Sequence, residues 1–153
     1  RKACHELAHQ LSFSFGIQKA GVLYPLWFSE GIAIEFERKA VERRNLQYSQ
    51  PRKILLEQLF INRQLLDLQE LVTQSRLPNS EEEKCRLYAQ CWGLYHFLSE
   101  TQDDNLNHYL EVHKKYTPGW VSPLDLLCEF ENAFGDFETI QRQWHLYIRE
   151  KMQ

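Results

Sequence analysis

Apolar residues recur at spacings of three and four through most of the chain, the period of helices that turn one face to a core. The clearest run is Leu87, Tyr88, Cys91, Trp92, Tyr95 and Leu98, one broad stripe along a helix. Ser80 with Glu83 three positions on is a capping-box signature, so this helix starts there and reaches about Glu100. The same reading gives a first helix from about the N-terminus to Phe15, stopped by Gly16, and a second from Leu26 to about Arg44 after a loop from Gly21 to Pro25. Pro51 opens a third through Leu55, Leu56, Leu59 and Phe60, and the stretch from Leu65 to Leu71 makes a shorter one. After the capping-box helix come one from about Asp104 to Tyr116 and one opened by Ser122-Pro123 that ends before Gly135. Asp136 then caps a last helix carrying Phe137, Ile140, Trp144, Tyr147 and Ile148. No stretch alternates in the manner of a strand, so the expected fold class is all-α, several helices in a single domain over residues 1–153.

Composition narrows the partners. With 43% hydrophobic and 25% charged residues the chain folds around a core rather than staying disordered. Eighteen Lys plus Arg against 21 Asp plus Glu, mixed along the chain, give a net charge of -3 and no electrostatic basis for a nucleic-acid partner. No run approaches the roughly 20 apolar residues of a membrane span. The N-terminus has neither a starting Met nor the apolar region of a signal peptide, so a natural targeting segment is expected outside this chain, and the compartment stays open. Cys85 and Cys91 are too far apart for a metal knuckle, and the four cysteines, Cys4, Cys85, Cys91 and Cys128, are expected as buried free thiols, with one or two disulfides as the alternative. Glu81, Glu82 and Glu83 suit the first turn of a helix. Arg38, Lys39, Arg43 and Arg44 suit the C-terminal end of theirs, with a basic docking patch as the alternative.

The chemistry is concentrated near the start. His5-Glu6-Leu7-Ala8-His9 is an H-E-x-x-H sequence on a helix, where residues four apart stand one turn above each other. Two imidazoles can then meet one ion, and zinc suits them because it accepts a tetrahedral site with one position left to water. Glu6, about 100° round the helix from His5, is set beside that ion as the general base for its water. In Trp27-Phe28-Ser29-Glu30-Gly31-Ile32-Ala33 an acid stands inside an apolar helical turn, where carboxylates are rare unless paired or metal-bound. Glu30 is therefore expected as the third ligand, with Gly31 letting the second helix approach the first.

With these residues the chain resembles the gluzincin branch of the zinc metallopeptidases, whose ligands are the two histidines of H-E-x-x-H and a glutamate on the next helix. The segment from Trp27 to Glu37 is similar to the glutamate helix of the peptidase MA-like families and of the M1 aminopeptidases. Tyr88-Ala89-Gln90-Cys91-Trp92 with His96-Phe97-Leu98, and Ala133-Phe134-Gly135-Asp136 leading to Trp144 and Tyr147, are similar to later helices of the bacterial group labelled DUF1570. The resemblance implies a zincin-like fold with a peptide or protein substrate. It also implies a β-sheet upstream of the H-E-x-x-H helix, which would lie before the start of this chain. It further implies a phenol or imidazole that hydrogen-bonds the oxyanion, for which Tyr88 is the first candidate and Tyr95 the reserve. Glu35 or Glu37 is a candidate for the carboxylate that orients a ligand histidine. His96, His108, His113 and His145 lack metal-ligand spacing and are expected in surface or capping roles. Two other readings stay open: a helical binding or scaffold module that keeps the frame without turnover, and a zinc hydrolase acting on esters or amides other than peptides.

Overall fold

The structure, a computed structural model, describes residues 2–42 and 51–151. Among these the chain forms eight helices and two strands of two residues each: α1 (Lys2–Ser14), β1 (Val22–Leu23), α2 (Leu26–Glu42), α3 (Pro51–Ile61), α4 (Leu68–Thr73), α5 (Glu81–Thr101), α6 (Asp103–His113), β2 (Gly119–Trp120), α7 (Pro123–Phe134) and α8 (Phe137–Lys151). The fold is all-α, as the periodicity predicts. The last part of the predicted second helix, with Arg43 and Arg44, lies outside the described residues.

The element ends follow local chemistry. Ser80 Oγ accepts from the Glu83 amide at 3.1 Å, the N-cap half of a capping box, and the Glu83 carboxylate reaches back to the Ser80 hydroxyl, which donates to it at 2.8 Å. Gly16, at φ 68°, lets the chain leave α1 while the amides of Ile17 and Gln18 return to the Ser12 carbonyl. Two boundaries move. The short helix starts at Leu68 rather than Leu65, because the Leu66 amide donates to Gln90 on α5 and Asp67 caps the helix through the Gln69 amide. α6 stops at His113, three residues early, since the chain bends there to place Gly119 and Trp120 beside Val22 and Leu23 in a parallel pair. That pair is missing from the sequence reading because two residues are too few to show an alternation.

α5 is the central helix, packed on α2, α3, α6 and α8, and the α2–α5 interface is the most extensive in the molecule. A stripe alone understates its burial: Ala89, Gly93, Leu94 and Phe97 are enclosed as well. Trp27 of α2 is fully buried, its ring 5.3 Å from that of Tyr109, 5.6 Å from Phe130 and 6.2 Å from Phe134, which ties α2 to α6 and α7. α1 lies outside this core and packs chiefly on α2. The half of α2 that carries Glu30 is thus anchored by the core on one side and offers the other to α1.

Several expectations about single residues are corrected. His113 is fully buried among the rings of Phe28, Tyr24, Tyr109 and Tyr116, not at the surface. His96 stacks on Trp92 and faces the Glu35 carboxylate at 3.4 Å, and His145 is half-buried against Phe60. Trp92 and Tyr109 stand one turn before His96 and His113 on the same helices, but the groups that complete these surroundings, Glu35 for His96, Phe28 and Tyr24 for His113 and Phe60 for His145, come from elsewhere in the chain. Cys85, Cys91 and Cys128 are free thiols as expected, but only Cys91 is buried, Cys85 and Cys128 being exposed; the Cys4 side chain lies outside what is described. Arg38 pairs with Glu35 and Glu42 on its own helix, a more specific role than placement near the helix end.

Candidate metal centre

His5 and His9 stand one turn apart on α1, and Glu30 faces them from the first half of α2. The Nε2 atoms of the two histidines lie 3.2 Å apart, His5 Nε2 lies 3.2 Å from Glu30 Oε2, and His9 Nε2 lies 3.7 Å from Glu30 Oε1. A tetrahedral zinc with bonds of 2.0–2.1 Å separates its ligand atoms by about 3.3 Å. The donor set and its spacing therefore fit that ion. All three side chains are partly buried, Glu30 most at 12% exposure. Among the described residues this is the one cluster of His, Cys, Asp and Glu compact enough to hold a metal.

Electrostatics favour a charged carboxylate here. Burial pushes the Glu30 pKa up, but the His5 and His9 rings more than offset it and bring it down to about 2. The same contact raises His9, through its hydrogen bond to Glu30 and against the opposing effect of burial. The carboxylate is thus charged at neutral pH and suited to ligate a cation.

Glu6 is exposed and faces, together with His5, a cavity of about 490 Å³. α5 contributes Tyr88 and Cys85 to its lining, α3 contributes Pro51, Arg52 and Leu55, and Glu37 comes from the second half of α2. Tyr88 is therefore brought to the same space as the H-E-x-x-H helix. Burial raises its pKa, with the Glu30 charge adding to the effect, which places the phenol within electrostatic reach of the cluster. Tyr95 is directed elsewhere: its side chain lies against Gly31, where a β-carbon on the glycine would stand 2.5 Å from Tyr95 Cβ. Gly31 thus admits α5 to α2, and not α1 as its position beside Glu30 suggests.

Neither candidate carboxylate orients a ligand histidine. Glu35 is buried and accepts from Arg38 at 2.6 and 2.9 Å and from Trp92 Nε1 at 3.2 Å. Glu37 faces Arg52 Nη1 at 3.3 Å. His5 Nδ1 is buried without a hydrogen-bond partner among the described residues. Sequence reasoning did not find Arg52, Leu55 or Cys85, because they reach the cavity from α3 and α5 at no fixed distance along the chain from His5.

A family model described as "Protein of unknown function (DUF1570)" matches residues 2–119. The matched stretch takes in His5, Glu6, His9, Glu30 and Tyr88 and ends before α7, so the later similarity around Ala133 to Tyr147 falls beyond it. No curated protein and no solved structure matches the chain.

Proposed function

The chain belongs to the DUF1570 family, and on that footing we propose that it is a zinc-dependent metallopeptidase whose attacking water is activated by Glu6. The observation that carries the proposal is the convergence of His5 Nε2, His9 Nε2 and the Glu30 carboxylate at the spacing of a tetrahedral ligand set. Those three groups would hold the ion. When bound, zinc supplies Lewis acidity, lowering the pKa of a water from 15.7 toward about 7 and polarising a carbonyl oxygen.

The remaining work falls to the chain's own residues. Glu6, one position along from His5 and open to the cavity, takes the proton of the water as it attacks the peptide carbonyl and passes it to the leaving amine. Tyr88, like any phenol, keeps its proton at neutral pH, and burial and then the Glu30 charge push its pKa further up. It is therefore a neutral O–H donor, suited to the oxyanion that develops during attack.

The test is elemental analysis and peptide turnover on one set of variants. Wild type and Glu6→Gln should each carry close to one zinc per chain, with peptide hydrolysis falling on the order of 100-fold or more in the variant. Equal cleavage of a peptide library by the two proteins would remove Glu6 from the mechanism. Full zinc occupancy without any cleavage would favour a binding module built on the same frame.

A further inference from the structure

The cavity beside the metal cluster has one cation among its described lining residues, Arg52 in the first turn of α3. Its Nη1 faces Glu37 Oε2 at 3.3 Å, and Glu37 is only 2% exposed. A carboxylate that deep is stable only with its counter-charge, so Glu37 holds the guanidinium at the cavity wall. The Arg52 side chain is 28% exposed and reaches the open space from there. Arg52 and Tyr88 line the same cavity.

The rest of the described lining is apolar at Pro51 and Leu55 and acidic at two places, Glu6 beside His5, exposed and with no ion pair to a described cation, and Glu37, buried and paired with Arg52. An anionic group on a bound molecule is therefore directed to the Arg52 end. A guanidinium presents its donors as a planar fork that matches a carboxylate and can serve more than one acceptor at once. We propose that Arg52 is a specificity-determining residue that receives a carboxylate of the substrate, supplied by an acidic side chain or by a free peptide C-terminus. This rests on the peptidase reading of the same cavity.

The test is calorimetric binding to the zinc-loaded Glu6→Gln protein. The probes are four peptides of one sequence, ending in glutamate or glutamine and in a free acid or an amide. The peptides that carry the recognised carboxylate should bind at least about tenfold more tightly than their neutral partners, and the pair that differs names the source. Arg52→Met should bring that ratio close to one, and Arg52→Lys should retain part of it. Since Arg52→Met strands Glu37, the double change Arg52→Met with Glu37→Gln removes both charges and should give the same loss in a stably folded chain. Equal affinity for all four peptides, no binding of any, or a preference that survives both Arg52→Met proteins would overturn the inference. Hydrolysis by wild type with flat affinities removes this inference alone; a carboxylate preference without hydrolysis removes the peptidase reading alone.

Discussion

Glu30 and Glu35 stand five residues apart on α2 and are both held near pKa 2, yet their surroundings give them different work. Around Glu35 burial is outweighed by His96 and Arg38, and the Trp92 indole N–H completes a network within the protein. Around Glu30 the close partners among the described residues are two imidazoles, the donor type that zinc accepts. Glu30→Gln should therefore lower zinc affinity on the order of 100-fold, read by competition with a chelator, while leaving the fold intact. Glu35→Gln should do the reverse, lowering thermal stability by roughly 2 kcal/mol through loss of a buried ion pair and leaving zinc content near one per chain.

Between elements, the α2–α5 contact sets where Glu30 sits. A side chain at Gly31 would meet Tyr95 Cβ at 2.5 Å and Cγ at 2.9 Å, backbone-proximal atoms that cannot swing aside. Gly31→Ala gains up to about 1 kcal/mol of helix propensity but forces the helices apart, at a cost of about 1–3 kcal/mol. A lower melting temperature together with weaker zinc binding is expected, because the displaced residue is the neighbour of Glu30, the proposed ligand. Ser80→Ala, at the exposed start of α5, should cost about 1 kcal/mol of stability and leave zinc binding unchanged. The pair of variants separates interface geometry from general loss of stability.

For the molecule as a whole, acid and, on the proposed reading, chelation would act on different parts. His113 is fully enclosed, and burial pushes its pKa from the ordinary 6.5 down to about 4, partly opposed by its contact with the Tyr109 carbonyl. The unfolded chain then binds the extra proton between pH 6.5 and 4, so stability falls as pH drops through that window, by roughly 3 kcal/mol for this group. Melting of metal-free protein from pH 7 to pH 4 should show the loss, and His113→Phe should flatten it. Chelation should instead loosen α1, which packs chiefly on α2 and is tied to it by the cluster. On removal of zinc, hydrogen exchange should quicken across Lys2–Ser14 while Glu81–Thr101 stays protected. Equal exchange in α1 with and without the metal would show that the ion does not join the two helices.

The sequence alone determined the helical class, most helix boundaries and the three ligand candidates. Each of these rests on short-range rules: a period near 3.6, a cap three residues from its partner, two histidines four apart on one face. Glu30 was legible because a carboxylate within Trp27 to Ala33 is costly unless something compensates its charge. Only the tertiary structure decided that Gly31 serves α5, that Glu35 belongs to Trp92 and His96, that His113 is a core residue, and that Arg52, Leu55 and Cys85 share the cavity with Glu6. Those facts depend on which helix face meets which. Packing among eight helices sets that choice through contacts far apart in the chain, and no spacing along the sequence encodes it.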